Sequence, residues 1–302
     1  MGKSDNLAKR TDFHTVPAVK PRPNFSTLMP PLYDLPRRLF GYKYPRLGSL
    51  ANSLFFKIVP TTLDTELFPG IRVRLDSRDL TQRTTYWQGD RFEYPTAEIL
   101  QKWKTPSVSR FFDIGANYGF FSYLMLSRFK DISVHAFEPN PKTFKLVEEI
   151  KTNNRLDRLQ INQMGLSDAR DTLYLHPGVT DSGHSTFGAH PELRGELETP
   201  IPVDTFDHWR EQSGIDLPAG SQWLAKIDVE GFEYKVLKGM AGALRAKAFA
   251  GLVVEINQST LAFTGTDPKE VFAYLDEAGY RQANTDQAFD RNANAFFVPK
   301  AG

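Results

Sequence analysis

Short apolar runs alternate with amphipathic stretches of helical periodicity from residue 109 to the end of the chain. The apolar runs predict strands at Arg110–Ile114, Ile132–Phe137, Leu159–Met164, Trp223–Asp228, Leu252–Ile256 and Asn294–Val298, with a shorter strand at Thr172–Leu175. The stretches between them predict helices at Gly119–Arg128, Lys142–Thr152, Phe232–Arg245 and Lys269–Ala278. Because strands that alternate with helices form parallel sheets with helices packed on both faces, we expect an α/β fold.

The residues before this pattern are organised differently. Prolines and polar residues fill positions 1–35 and predict a flexible lead, whereas residues 37–60 mix basic with apolar side chains. A helix packed on the domain and a segment resting on a membrane surface both fit this second stretch, and we favour the packed helix. The alternating IRVRL at 71–75 predicts a half-buried strand, Trp87–Gly89 a turn, and residues 95–104 a helix that starts near Pro95.

These patterns divide the chain into three parts. Residues 1–66 are a proline-rich lead and N-terminal extension, residues 67–104 supply strands and a helix that lead into the domain, and residues 105–302 form the main α/β domain. A length of 302 residues is sufficient for one large domain with such an extension.

Composition excludes several kinds of site and partner. The chain has no cysteine, which rules out disulfides, thiolate metal sites and a cysteine nucleophile. The formal net charge is +1, so the sequence gives no reason to expect a nucleic acid as partner. The first ten residues lack the apolar core of a signal peptide, and no run approaches the ~20 apolar residues that span a bilayer. We therefore expect a cytoplasmic protein without a transmembrane segment.

The loop after the first strand of the domain is the most informative segment. FFDIGANYGFFS ends a strand at Ile114 and then places Gly115, Asn117 and Gly119 before a helix, which is typical of a ligand crevice. The strand also carries Asp113, and a carboxylate repels a pyrophosphate by ~1 kcal/mol at ~4 Å in water and by more inside a protein. The loop therefore favours a cofactor with an ammonium group, such as S-adenosylmethionine, over a dinucleotide. The alternative is that Asp113 only bonds N–H groups of the loop.

An acid ends the second strand of the domain. Glu138 follows the apolar strand directly and lies 23 residues after Gly115. A carboxylate at about this spacing typically accepts hydrogen bonds from both ribose hydroxyls. Because nicotinamide cofactors and methyl donors both contain this ribose, Glu138 predicts adenosine binding without separating the two.

A second acidic group follows the fourth strand. WLAKIDVEGFE is apolar up to Ile227 and then offers Asp228, Glu230 and Glu233. In this topology the fourth strand lies beside the first, so Asp228 is expected to open into the same crevice. These acids could bind a divalent cation, act as a general base or anchor the donor's amino group, although for Glu233 we favour a helix cap. In the fifth strand, Glu255 is a further candidate, because an acid in an apolar run is costly unless it serves a site.

Four segments together resemble one protein family in order and spacing: FFDIGANYGFFS, FEPNP, KIDVEGFEYKVLKG and VVEIN are similar to the FkbM-type methyltransferases. The upstream stretches LFPGIRVRL and WQGDRFE resemble the same family, so the likeness runs from about Leu67 to Pro299. The resemblance implies a Rossmann-like class I methyltransferase fold, with a mostly parallel seven-stranded sheet, an antiparallel last strand and helices on both faces. It also implies S-adenosylmethionine as methyl donor and O-methylation of a sugar, glycan or natural product.

The resemblance also implies roles for individual residues. It places the methionine part of the donor among Asp113, Gly115, Asn117 and Gly119, the ribose on Glu138, and the adenine beside Gly165, Leu166 and Ser167. It places Asp228 and Glu230 at the reacting centre, Asp228 also among the donor contacts, and Glu93 over the cofactor. His184 lies in the polar stretch before the fourth strand. The usual pKa of a histidine side chain suits a general base, although a histidine in a surface loop is an equally good interpretation.

We therefore predict an S-adenosylmethionine-dependent O-methyltransferase whose acceptor is a small molecule or a glycan hydroxyl. Asp228, Glu230 and His184 are the candidate catalytic residues. We predict no metal; if Mg²⁺ takes part, its ligands are expected to be Asp228, Glu230 and Glu255. The alternatives are an NAD(P)-dependent Rossmann oxidoreductase, which the loop sequence argues against, and a non-catalytic nucleotide-binding module.

Overall fold

The computed structural model describes residues 61–176, 185–187, 199–220, 222–283 and 292–301. The predicted lead, the basic stretch at 37–60 and His184 lie outside these residues, so the interpretations given for them stay predictions. Among the described residues, no helix combines the length and the apolar character that crossing a membrane requires.

A hairpin and two helices precede the main domain. The hairpin consists of β1 (Thr62–Phe68) and β2 (Ile71–Asp76), and the helices are α1 (Leu80–Gln88) and α2 (Tyr94–Trp103). We call residues 62–104 the leading segment. The turn predicted at Trp87–Gly89 was wrong in part, because Trp87 belongs to α1. That helix begins at the cap formed by Asp79, whose side chain accepts a hydrogen bond from the backbone N–H of Gln82.

The main domain alternates strands and helices, as the apolar pattern predicted. Its strands are β3 (Arg110–Ile114), β4 (Ser133–Phe137), β5 (Leu159–Asn162), β6 (Gly165–Leu166), β7 (Asp171–Leu175), β8 (Thr199–Asp204), β9 (Trp223–Ile227), β10 (Phe249–Asn257), β11 (Tyr280–Gln282) and β12 (Asn292–Pro299). Its helices are α3 (Phe120–Arg128), α4 (Pro141–Asn154), α5 (Phe206–Gln212), α6 (Glu233–Gly239), α7 (Ala241–Arg245), α8 (Gln258–Phe263) and α9 (Pro268–Glu277). The single helix predicted over Phe232–Arg245 is two helices that meet at Met240.

Seven strands form the central sheet in the order β11-β12-β10-β9-β3-β4-β5. All neighbouring pairs among β10, β9, β3, β4 and β5 are parallel, whereas β12 runs antiparallel to both β10 and β11. The strands β6, β8 and β7 form a separate three-stranded sheet. The predicted fold is thereby confirmed, including the antiparallel last strand.

Helices cover both faces of the central sheet because side chains alternate along its strands. Phe111 and Leu224 face one apolar core, which includes residues of α2, α3 and α4. Phe112 and Ile114 face the other, which includes residues of α5, α6, α7 and α9. In that second core, the ring of Phe112 makes an edge-to-face contact with Phe206 at 4.9 Å between centroids. The central strands are thus buried on both sides, which fixes their register along the sheet.

The register brings three chain segments out of the sheet side by side. Ile114 of β3 lies opposite Ile227 of β9 on one side and opposite Phe137 of β4 on the other. The next residues along the three strands are Gly115, Asp228 and Glu138. The glycine loop and the two acids predicted from the sequence therefore meet at one point on the carboxyl edge of the sheet.

Candidate functional site

A cleft lies at the carboxyl ends of β3, β4, β9 and β10 and encloses about 1080 Å³ of empty space, part of it open to solvent. The cleft brings together nine of the residues predicted from the sequence: Glu93, Gly115, Asn117, Glu138, Gly165, Leu166, Asp228, Glu230 and Glu255 all line its wall. Among the predicted residues that the structure describes, Asp113, Gly119 and Ser167 do not line it.

The loop after β3 is joined to both neighbouring strands. The backbone N–H groups of Gly115 and Ala116 donate to the carbonyl of Phe137, at 3.1 and 2.9 Å. On the other side, the N–H of Asp228 donates to the carbonyl of Ile114 at 3.0 Å. Gly115 has a φ of +78°, and a Cβ built on it would lie 1.8 Å from the carbonyl oxygen of Asp228. Only glycine allows this close approach, so the position of the loop over β9 depends on it.

Asp113 lies beneath this loop and does not reach the cleft. Its side chain is fully buried and faces α3, where Oδ2 accepts a hydrogen bond of 2.6 Å from the hydroxyl of Ser122. Burial raises the pKa of Asp113, while the charge of Lys226 and hydrogen bonds from Ser122 lower it. The alternative given above is met only in part, because Asp113 has a structural partner, but this is Ser122 of α3 and not an N–H group of the loop. A direct contact with a donor ammonium group is not what this orientation provides, because alternation along β3 turns the side chain away from the cleft.

Glu138 is held rigidly at the cleft wall. Its Oε2 accepts the backbone N–H of Asn117 and its Oε1 that of Asn140, both at 2.8 Å. Burial raises the pKa of Glu138 to about 7, against the opposing effect of these two N–H groups. Each carboxylate oxygen can accept two hydrogen bonds, so the group keeps acceptor positions for a diol.

Lys226 is a site residue that the sequence analysis did not identify. It belongs to the fully buried strand β9, and its Nζ donates to Asp228 Oδ2 at 2.7 Å. The ammonium group also lies over the ring of Phe121, 4.9 Å from its centroid. Although burial opposes it, the charges of Asp228, Glu93 and Asp113 raise the pKa of Lys226, so the side chain is a permanent cation. The signal that could have revealed it is a lysine inside an apolar strand.

Three acids form a cluster beside this ion pair. Carboxylate oxygens of Asp228, Glu230 and Glu255 lie within 4.8 Å of one another. The charge of Asp228, and then burial, raise the pKa of Glu255 well above its usual range. Glu255 Oε2 is buried without a hydrogen-bond partner among the described residues. The cluster therefore offers acceptor atoms at the point where the resemblance places the reacting group.

Glu233 shapes the loop that carries these acids. Its side chain is fully buried, and Oε1 accepts the backbone N–H groups of Val229 and Gly231, at 2.9 and 3.2 Å. Glu233 is the first residue of α6, and its carboxylate holds the loop after β9 at the positive end of that helix. Its role is structural, but the helix cap that we favoured was wrong, because the bonded N–H groups belong to the loop and no side-chain hydrogen bond caps α6.

The leading segment forms one wall of the cleft. Glu93 has a φ of +46°, a left-handed conformation that is uncommon for a residue with a side chain. Next to it, the ring of Phe92 contacts Phe120 edge-to-face, with 5.1 Å between centroids. Farther along, the hydroxyl groups of Thr85 and Tyr118 bond to each other. Strained backbone held by such contacts is common at ligand sites, which agrees with the predicted place of Glu93 over a cofactor.

The exit of the third strand is divided between the cleft and the interior. Gly165 and Leu166 line the cleft, whereas Ser167 is buried and its hydroxyl bonds the carboxylate of Asp168 at 3.2 Å. Gly165 also lets Phe187 approach, because a Cβ on it would lie 2.7 Å from that ring. Two of the three residues predicted beside the adenine are therefore placed to touch a ligand, and the third supports the turn.

The polar groups of the cleft fit S-adenosylmethionine. The cleft offers acceptors for the ribose hydroxyls at Glu138 and for an ammonium group at Glu93 and Asp228. In addition, Asn117 Oδ1 is buried without a hydrogen-bond partner among the described residues, so it is available to a ligand donor. By contrast, the N–H groups of Gly115, Ala116 and Asn117 already donate within the protein, which leaves few for a pyrophosphate.

The raised pKa values of Glu138 and Glu233 predict how stability depends on pH. Both pKa values rise from 4.5 to about 7 on folding, so the folded chain binds more protons than the unfolded chain between these limits. This contribution is fully present below pH 4.5 and is lost as the pH rises through 7. We expect urea unfolding of the ligand-free protein to show lower stability at pH 8 than at pH 5.5, by about 2 kcal/mol per buried carboxyl.

Glu233→Gln tests the origin of this pH dependence of stability. The amide oxygen can still accept the N–H groups of Val229 and Gly231, while the titration is removed. We expect the variant to lose a clear part of the pH dependence and to be more stable than the wild type at pH 8. A variant with the full wild-type slope shows that Glu233 does not titrate in this range.

Comparison with known proteins identifies relatives of the domain. The sequence profile of the family described as Methyltransferase FkbM domain matches residues 113–282, more than half of the chain. Hexuronic acid methyltransferase AglP of Haloferax volcanii is 32% identical over 167 residues, which are 55% of this chain and 61% of that protein. Methyltransferase 1 of Beauveria bassiana is 27% identical over 150 residues, 45% of this chain and 59% of that protein. The chain thus spans about three fifths of the length of these curated relatives.

Solved structures of low similarity were also found. Precorrin-6y C5,15-methyltransferase of Geobacter metallireducens aligns with a TM-score of 0.39 and 11% identity, over 68% of this chain and 88% of that chain. TYW2 of M. jannaschii, solved in complex with AdoMet, aligns with a TM-score of 0.38 and 11% identity, over 80% of this chain and 88% of that chain. At these scores the fold assignment rests on the strand order described above.

Proposed function

Because the chain belongs to the FkbM methyltransferase family, we propose that it transfers a methyl group from S-adenosylmethionine to a hydroxyl group of a sugar, glycan or natural product. The observation that carries this proposal is the meeting of Gly115, Glu138 and Asp228 at one edge of the sheet. Three features of the cleft match the chemistry of the methyl donor. The loop lies close to β9, Glu138 is a rigid acceptor for a diol, and acids are available for an ammonium group.

Each part of the cleft then has a task. Glu138 binds the ribose, Gly165 and Leu166 lie against the adenine, and Asn117 and Asp228 hold the methionine part. Glu93 closes the cleft from the leading segment, while Gly115 and Gly119 shape the loop. Asp113 and Ser167 act from below, through Lys226 and through the turn after β6. The resemblance to the family implies these assignments, and the lining residues and their hydrogen bonds support them.

The remaining acids act on the methyl acceptor. When bound, S-adenosylmethionine supplies an activated methyl group, and alignment of the acceptor can contribute ~7–11 kcal/mol in favourable cases. Asp228, Glu230 or His184 takes the proton of the acceptor hydroxyl, which typically accelerates such a step ~10²–10⁴-fold. We propose the transfer without a metal, with Lys226 as the cation beside Asp228; the carboxylates of Asp228, Glu230 and Glu255 nevertheless lie close enough together to hold a divalent cation.

The proposed class of methyl acceptor rests on the chemistry of the cleft and on a relative of the chain. The relative from Haloferax volcanii is named for a hexuronic acid, which supports a sugar as the acceptor here. The cleft offers carboxylates beside the reacting centre, and these suit a hydroxyl that must lose a proton. We propose a hydroxyl group rather than a nucleic acid, in agreement with the net charge of +1.

Calorimetric titration separates the proposed function from its alternatives. We expect S-adenosylhomocysteine to bind with micromolar affinity and NADPH not to bind, because the loop N–H groups are engaged and acids line the cleft. Tighter binding of NADPH supports the oxidoreductase, and failure to bind S-adenosylhomocysteine contradicts the methyltransferase. A panel of sugars and glycans with labelled donor then identifies the acceptor.

A further inference from the structure

The contacts of Lys226 are unusual for a residue of a central strand. All five residues of β9 are buried, and the lysine is 3% exposed. In the sheet it lies opposite Asp113 of β3 and opposite Val253 of β10. A buried charge at such a position is costly unless it is paired, so a partner is expected next to it.

The ammonium group does not pair with its cross-strand neighbour. Asp113 Oδ2 is bonded by Ser122, and Asp113 Oδ1 has no hydrogen-bond partner among the described residues. Nζ instead extends to the end of the strand and bonds Asp228 Oδ2, at the wall of the cleft. Lys226 itself lines the cleft as well. A lysine needed only to neutralise Asp113 has no reason to reach this far.

Lys226 also links two parts of the chain. The charge of Glu93, which lines the same cleft from the leading segment, acts on Lys226 together with the charges of Asp228 and Asp113. Glu138 from β4 is influenced by Lys226 too, although more weakly than by its own hydrogen bonds. One cation therefore faces acids contributed by the leading segment, β3, β4 and the end of β9.

We propose that Lys226 is a positioning residue of the donor site. It holds Asp228 through Oδ2, so that Oδ1 of that carboxylate is presented to the cleft in one orientation. It also attracts Glu93, and this attraction keeps the leading segment closed over the cofactor. The inference rests on the proposed function, since it concerns the binding of the same donor.

Lys226→Met tests this role, because methionine keeps most of the length of the side chain and an apolar group near Phe121, but removes the ammonium group and its charge. We expect the affinity for S-adenosylhomocysteine, measured by calorimetry, to fall about 10–100-fold. Lys226→Arg, which keeps the charge, is expected to recover most of this loss. If the methionine variant does not fold, Lys226→Gln is measured instead, with the same expected loss.

Lys238→Met is the matched control. Lys238 also bonds an aspartate at 2.7 Å, Asp168, and also lies over an aromatic ring, Tyr234 at 5.0 Å, but it lies outside the cleft lining. We expect it to bind S-adenosylhomocysteine as the wild type does. Thermal unfolding of every variant shows how much of any effect is a loss of stability.

The link to Glu93 has its own readout. If Lys226 acts partly by holding Glu93, then Glu93→Gln combined with Lys226→Met weakens binding by less than the product of the two single effects. Folded Lys226 variants that bind S-adenosylhomocysteine as tightly as the wild type overturn the inference and leave the proposed function standing. A wild-type protein that does not bind S-adenosylhomocysteine overturns the proposed function itself.

Discussion

Gly115→Ala is expected to abolish measurable binding of S-adenosylhomocysteine. The added Cβ would lie 1.8 Å from the carbonyl oxygen of Asp228, so the loop after β3 and the end of β9 have to move apart. This movement breaks the hydrogen bonds from Gly115 and Ala116 to Phe137 and displaces Asn117, which lines the cleft. We expect a loss of affinity beyond about 100-fold and a fall in unfolding free energy of about 3 kcal/mol or more, both measured on the purified variant.

Gly70→Ala is the control for backbone strain. Gly70 has the same φ as Gly115, +78°, but a Cβ on it meets nothing within 4 Å. It therefore carries the strain of the left-handed conformation, about 1–2 kcal/mol, without a clash. We expect this variant to bind S-adenosylhomocysteine normally. If the two alanine variants behave alike, the close approach of the loop to β9 does not matter for binding.

The positions of Gly115, Glu138 and Asp228 could be predicted from the sequence because each directly follows an apolar strand. In a parallel sheet the ends of such strands lie together, and neighbouring registers then fix the distances between the residues that follow. No long-range information was needed beyond the order of the strands, which the alternation of strands and helices implied. The same reasoning placed Glu255 correctly at the cleft, since an acid in an apolar strand requires a reason.

The orientation of Asp113 and the role of Lys226 could not be predicted in this way. A side chain near a strand end points either to the cleft or to a helix, and a step of one residue along the strand changes which of the two it is. The prediction for Asp113 rested only on its nearness to the loop, which does not determine this direction. For Lys226, the run WLAKI was treated as apolar, and its one charge was overlooked beside the acids that follow. The two errors concern neighbouring positions, because Lys226 lies opposite Asp113 in the sheet.

The leading segment shows the limit of local patterns. Helix α1 was missed because its sequence, LTQRTTYWQ, has no apolar face of helical period, and tertiary contacts such as the one between Thr85 and Tyr118 hold it in place. Strand β8 was missed because Thr199–Asp204 contains two prolines, which argue against a strand. The family match starts at residue 113, yet Glu93 forms part of the cleft wall, so the cleft extends beyond the matched residues into the leading segment.

Glu138→Ala is expected to weaken the binding of S-adenosylhomocysteine about 100-fold or more. The variant loses the carboxylate that we propose accepts the two ribose hydroxyls, and each hydrogen bond to such a charged group contributes about 1.5–3 kcal/mol. It also leaves the N–H groups of Asn117 and Asn140 without their acceptor, which loosens the loop. Glu148→Ala, on the exposed face of α4, is the control and is expected to bind as the wild type does.

A ligand change isolates the ribose contact from the loosened loop. The analogue of S-adenosylhomocysteine with 2′-deoxyribose lacks one of the hydroxyls that Glu138 is proposed to accept. We expect the wild type to bind this analogue about tenfold more weakly than S-adenosylhomocysteine, and Glu138→Ala to bind the two ligands equally. Because loosening of the loop weakens the binding of both ligands alike, only a direct contact with the hydroxyl produces a difference between their affinities. If the variant still discriminates between the two ligands as the wild type does, another residue accepts the hydroxyl, and the role of Glu138 is limited to holding the loop through Asn117.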